Sequence, residues 1–176
     1  MRMLYVIFKY LTFVGSFIRG FWEHMTCQLL GLLVDEPGYL RANEMCGHVE
    51  FVLPKKNSAV YLSAIGPGVI NFITGLPMLL VGLINLRVFG ITFADSKAFF
   101  IIYILLVYVG ASLMCSLFPS YEVALHLWDK VKNHSKIYEK ILLGPASLTV
   151  LIGSWLERFG IPQIFWIAVI TAAFLI

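Results

Sequence analysis

Charge is what this chain has least of. Asp, Glu, Lys and Arg together make up 13% of its 176 residues, while 60% are hydrophobic and mean hydropathy is +0.86. A soluble domain carries roughly one quarter charged residues and about half apolar ones. That deficit excludes a water-exposed globule and implies an outer surface solvated by lipid. A net charge of +3 gives no electrostatic reason to expect a nucleic-acid partner. Cysteine is equally sparse: Cys27, Cys46 and Cys115 form no Cys-x-x-Cys pair, which excludes a disulfide framework and a zinc ribbon. There is no internal repeat and no low-complexity tract. No small-x-small cleavage site follows the first apolar run, so that run reads as a retained helix rather than a signal peptide.

What is present is a series of apolar runs. A membrane-crossing helix needs ~20 such residues. Met3 to about Leu33 is the first candidate, interrupted only by Lys9, Tyr10, Arg19 and a few other polar side chains, and stopped by Asp35-Glu36-Pro37-Gly38. Ala59–Leu86 is the second, with expected breaks at Gly66-Pro67-Gly68 and Gly75-Leu76-Pro77. Phe99–Phe118 is the third and ends at Pro119-Ser120. Ile141–Leu156 and Ile161–Ile176 are short and read together as a tight hairpin, or as one span with a re-entrant segment. The last run reaches the final residue, so no tail domain is expected. The expectation is an all-α integral membrane protein, a single polytopic domain over 1–176. It has about five transmembrane helices (four to six), over about 3–33, 59–86, 99–118, 141–156 and 161–176.

Two connections carry structure. In the first, His48–Leu53 partly alternates and suggests a short strand, in a hairpin with Tyr39–Met45. In the second, about 120–136, Tyr121, Ala124, Leu125, Trp128 and Val131 fall on one helical face. That face suits an amphipathic helix in the membrane interface, anchored by Tyr121 and Trp128, or a helix packed on the protein's own loops. Arg41, Lys55, Lys56, Lys130, Lys132, Lys136 and Lys140 outnumber Arg2, Arg87, Lys97 and Arg158 on the opposite side. The bias places loops 34–58 and 120–140 in the cytoplasm and the N-terminus outside.

Ionisable side chains inside apolar runs draw attention, because they are expensive there. Arg19 and Glu23 lie four apart on one helical face and are expected to pair. Otherwise both snorkel to the interface. Glu23 and His24 point ~100° apart on a helix and do not chelate together. His48 lies near Glu44, Cys46 and Glu50, with no ligand spacing of known specificity. Ser63, Ser120 and Ser147 have no recognisable base and read as packing or helix-end residues.

One order of pieces is more specific. A helix ends in Leu29-Leu30-Gly31, an extended Gly47-His48-Val49-Glu50-Phe51 follows, and Ala64-Ile65-Gly66-Pro67-Gly68-Val69-Ile70-Asn71 opens the next span. Later, Leu117-Phe118-Pro119-Ser120 closes a third. Over roughly Arg19–Leu80 and Ser116–Ala124 this resembles the site-2-protease family of intramembrane zinc metalloproteases. There a His-Glu-x-x-His helix runs into Leu-x-Gly, a β-hairpin follows, and Ala-Gly-Pro-x-x-Asn opens the next helix. A later Asn-x-x-Pro-x-x-x-x-Asp-Gly segment supplies the third zinc ligand. The Pro67-to-Asn71 spacing is one residue longer than in that pattern. Arg19 and Gly20 stand at the first His and the Glu, Glu23 at the second His, Ser116 at the Asn, and Ala124 at the metal-binding Asp; Pro119 matches.

The resemblance therefore implies a protease-like scaffold without catalytic residues, metal or other cofactor, with an Arg19–Glu23 ion pair in the space of the zinc site. It implies a non-catalytic scaffold or subunit that contacts the lipid bilayer and other membrane chains. Helix-break and polar-core positions are Gly66, Pro67, Gly68, Asn71 and Pro119. Two alternatives stand beside it. One is an atypical zinc-dependent peptidase using Glu23, His24 and His48; the other is a small transporter or channel subunit with Arg19, Glu23 and Asn71 along a water-filled path.

Overall fold

The computed structural model describes residues 2–39, 47–134 and 137–175. Glu44, Cys46, Arg41, Lys136 and most of the expected Tyr39–Met45 strand lie outside them. Seven helices and one two-stranded sheet are described: α1 Arg2–Leu11, α2 Phe13–Leu29, β1 Val34–Gly38, β2 His48–Phe51, α3 Asn57–Arg87, α4 Lys97–Met114, α5 Tyr121–Asp129, α6 Ile137–Glu157 and α7 Ile161–Leu175. A wider π-type turn, Lys130–His134, prolongs α5. Helices α3 and α4 are each long and apolar enough to cross a membrane, and α6 with α7, bent by 84°, would make a third crossing if the pair spans as one.

The polarity of these helices is inverted relative to a soluble protein. On α2 the buried stripe is Gly15, Ser16, Arg19, Gly20, Glu23, Thr26 and Cys27, small or polar at helical spacing. Its exposed stripe is Phe13, Phe17, Phe21, Met25 and Leu29. Small residues let helix backbones approach where lipid removes the hydrophobic incentive to pack, and polar groups turn inward because hydrocarbon cannot satisfy them. Helix α3 repeats the pattern, with Gly75 seated against α4: a Cβ there would come within 2.7 Å of the Leu113 Cβ.

The first apolar run is not one helix to Leu33. It breaks at Thr12 and ends at Leu29, with Gly31 at φ +66° leading into β1. The break is satisfied from α4. The Tyr108 hydroxyl donates to the Leu11 carbonyl (3.0 Å), the Ser112 hydroxyl donates to that of Thr12 (2.8 Å), and Gly15 N–H donates to Ser112 Oγ (2.7 Å). Buried irregular backbone survives only with such partners. β2 pairs antiparallel with β1, with Gly38 opposite His48 and Pro37 opposite Val49. Asp35-Glu36-Pro37-Gly38, expected as a stop, lies wholly within β1, after the helix has already ended at Leu29.

Gly66-Pro67-Gly68 is a second correction. It interrupts nothing, since α3 runs unbroken from Asn57 to Arg87 with Pro67 and Pro77 inside it. A proline removes one helical hydrogen bond and crowds the preceding turn, yet the helix continues through both the buried Pro67 and the exposed Pro77. Helix α4 stops at Met114, four residues before the expected Phe118. Pro119 disfavours helical backbone at the residue before it, so the carbonyls of Ser116 and Leu117 are released from the helical ladder.

The buried stripe of α5 is Val123, Ala124 and Leu127, continued by Val131. It packs on Val60 and Ala64 of α3 and on Leu143 and Val150 of α6. Tyr121 and Leu125, expected on the apolar face, are exposed, and Trp128 is half-buried. Helix α5 is thus wedged between α3 and α6 and buries its apolar face in protein. The α6–α7 bend is closed by Gly160 at φ +75°, with Phe8 of α1 packed on it. In the α3–α4 loop, Asp95 accepts from the Thr92 amide (2.9 Å) and hydroxyl (2.6 Å). Those two bonds hold its carboxyl below the ordinary value near 3.8.

Candidate functional site

The densest polar cluster forms where α2, β2, α3 and the end of α4 meet. Arg19 is fully buried and Glu23 is 4% exposed. Arg19 Nε donates to Glu23 Oε1 at 2.9 Å. Glu23 takes two more donors from β2: His48 Nδ1 lies 3.1 Å from Oε1, and Val49 N–H donates to Oε2 at 3.1 Å. Both carboxylate oxygens are therefore engaged, one by a guanidinium and an imidazole, the other by backbone.

Glycine makes this meeting possible. Gly47 has φ +77°, where residues with a Cβ are strained, and a Cβ there would sit 2.6 Å from the Ser16 Cβ. The chain can then lie directly on α2 about two turns before Glu23, and the next residue delivers the His48 ring. Tyr39 closes the same face. Its ring covers Gly20, and its hydroxyl hydrogen-bonds His24 Nδ1. His24 Nε2 lies 2.9 Å from Gln28 Nε2. His24 is half-buried and belongs to this outer pair, on a different side of α2 from the Glu23–His48 contact.

The other half of Arg19 reaches α4. Nη1 donates to the Leu117 carbonyl and lies 3.5 Å from that of Ser116. Asn71 Nδ2 donates to the Ser116 carbonyl at 2.9 Å. Gly68, one turn before Asn71, leaves room for the Leu117 carbonyl and for Arg19 Nη1, which a Cβ would approach to 3.0 Å. Pro67 and Pro119 are both buried beside this contact. Gly68, Asn71, Arg19, Glu23 and His48 thus belong to one constellation, whereas Gly66, Tyr121 and Trp128 contribute no polar contact to it. Two of its atoms, Arg19 Nη2 and Asn71 Oδ1, have no hydrogen-bond partner.

The donor set does not suit zinc. A tetrahedral site takes Cys, His or carboxylate ligands, with three protein ligands in a catalytic centre. Here one carboxylate and one imidazole face a guanidinium, which repels a cation and already occupies the carboxylate. No group of three His, Cys, Asp or Glu is arranged to hold a metal ion among the described residues.

A second buried ion pair was not legible in the sequence. Lys9 of α1, fully buried, donates to Glu157 Oε1 at the end of α6, which is 3% exposed. Ser154 Oγ, Glu157 Oε2 and both amide atoms of Gln163, all buried, have no hydrogen-bond partner. Lys9 and Glu157 are separated by 148 positions. Their only sequence signal was two opposite charges left over within or at the edge of apolar runs. Comparison with protein-family models, with curated proteins and with solved structures finds no match to this chain.

Proposed function

We propose that this chain is a non-catalytic polytopic membrane protein, acting as a scaffold or subunit that binds other transmembrane segments. Its core is a degenerate relative of the site-2-protease arrangement it resembles. The observation that carries the reading is the state of Glu23. Its two oxygens accept from Arg19, His48 and Val49 in a fully enclosed setting, which supports a carboxylate held by its own neighbours rather than one poised to activate water or bind a cation. The cluster's work is to neutralise its own charges and fasten α2, β2, α3 and the end of α4 together. In this proposal the chain crosses the bilayer five times, with its N-terminus outside and the loops around β1–β2 and α5 in the cytoplasm. Inward-facing small and polar stripes with outward apolar faces suit a protein that meets other helices in lipid.

Purification of the intact chain from native membrane, with metal analysis and a peptidase assay, tests this. The expected result is a co-purifying membrane protein in fixed ratio, with no peptidase activity and no stoichiometric zinc. Zinc at one per chain that disappears in His48→Ala, together with peptide hydrolysis, would overturn it.

A further inference from the structure

An apolar groove of about 200 Å³ opens between α3 and α6. Ile65, Val69 and Phe72 form one wall, Val150 the other, and Leu117 and Phe118 the floor. The cause lies in the packing of α5. Its side chains pack against Val60 and Ala64 of α3, and Leu117 and Phe118, just before its first residue, line the space below. The Phe118 ring is pressed on Gly153 of α6, which keeps the floor in place. Val69 and Phe72 are each 46% exposed, so the groove faces outward. At about 200 Å³ it holds a stretch of one hydrocarbon chain rather than a helix of ~10–12 Å diameter.

Above it, at the start of α3 and α6, lie Lys55, Lys56, Lys132 and Lys140, all exposed. Lys130 joins them through a bond to the Lys55 carbonyl (3.2 Å). Glu139 accepts from the Tyr61 hydroxyl at 3.5 Å and Asp129 from Asn133 at 2.6 Å, and the five lysines outnumber these two carboxylates. The Tyr61–Glu139 bond marks the top of the seam that leads down to the groove. At ~1.5 Å rise per residue, Ile65–Phe72 lie ~14–24 Å below Lys56, and Val150 lies ~15 Å below Lys140. One leaflet of hydrocarbon is ~15 Å deep, half of the ~30 Å core.

We propose that the α3–α6 seam binds an anionic phospholipid, with its headgroup on the lysines at the start of α3 and α6 and one acyl chain in the groove over Leu117 and Phe118. Basic clusters at the headgroup level recognise anionic lipid by charge, and the apolar groove, which begins about one leaflet-depth of hydrocarbon below them, takes the lower part of the chain that the same molecule carries. The proposal is independent of the scaffold reading above.

The test uses the full chain in phosphatidylcholine nanodiscs containing a trace of phosphatidylglycerol with a mid-chain diazirine. After photolysis, mass spectrometry is expected to place the adducts on Val69, Phe72 and Val150. Unlabelled phosphatidylglycerol should compete and extra phosphatidylcholine should not. Replacing the exposed lysines by Gln should weaken retention ~5-fold per residue. Val69→Trp and, from the opposite wall, Val150→Trp should each abolish groove adducts. Adducts spread evenly over the lipid-facing helices, or equal competition by phosphatidylcholine, overturns the proposal. So does crosslinking of the groove to a protein helix instead of lipid in native membranes. The headgroup competition needs no variant, so it decides even if a substitution disturbs folding.

Discussion

Around Glu23, three donors from two segments converge on one carboxylate, and their energetic roles differ. Breaking a buried pair by removing one partner is far more costly than replacing both by apolar side chains, because the survivor is left charged and desolvated. Arg19→Met should therefore destabilise the fold by roughly 3–5 kcal/mol. Arg19→Met/Glu23→Leu should recover part of that loss, since no charge is then stranded while Val49 N–H and His48 lose their acceptor. Unfolding of the single and double variants in detergent, read as a double-mutant cycle, measures it. Equal destabilisation by the two variants would mean that the charges matter less than the shape. The four-residue spacing of Arg19 and Glu23 was readable from helix geometry alone. The arrival of His48 was not, because a strand 25 positions away has no periodic relation to α2.

Elements were legible where hydropathy was continuous and misread where other segments repair the backbone. The break at Thr12 falls in an apolar run without proline, and Tyr108 and Ser112 of α4 satisfy the carbonyls at the break. Ser112→Ala should cost roughly 1–3 kcal/mol by stranding buried backbone groups, while Tyr108→Phe at a more exposed contact should cost less. Thermal unfolding of the two variants compares them directly. The converse holds at Pro67 and Pro77, where strong local breakers, one buried and one exposed, sit inside an unbroken helix. In the α3–α4 loop, Asp95 has a folded-state carboxyl pKa below its ordinary value. Its contribution is therefore present above pH ~3.9 and is lost as pH falls through the depressed value. The Thr92 amide shift should titrate in that acid window in the wild type and stay flat in Asp95→Asn.

At the scale of the molecule, two buried ion pairs bind opposite parts of the chain into one body. Arg19–Glu23 lies at the α2–β2–α3–α4 junction, and Lys9–Glu157 joins α1 to the α6–α7 bend, where Phe8 also packs on Gly160. Lys9→Met should leave Glu157 without its cation and loosen α1 from α6, at a cost of roughly 3–5 kcal/mol. Hydrogen exchange should show the loss first in α1 and α7, with the α3–α4 core still protected. Protection lost uniformly across the chain would show instead that this pair stabilises the entire fold cooperatively.

The amino-acid sequence by itself determined that the chain is helical and membrane-embedded, where most apolar segments begin and end, and that Arg19 and Glu23 share a helical face. These properties are local: they follow from hydropathy over ~20 residues and from the 3.6-residue period of a helix. Only the tertiary structure decided that His48 meets Glu23, that Lys9 meets Glu157, that α3 continues through Pro67, and that α5 buries its face in protein. Each of these depends on which distant segment supplies a donor, an acceptor or a packing surface, and in an apolar setting that supply selects the backbone and the charge arrangement that survive.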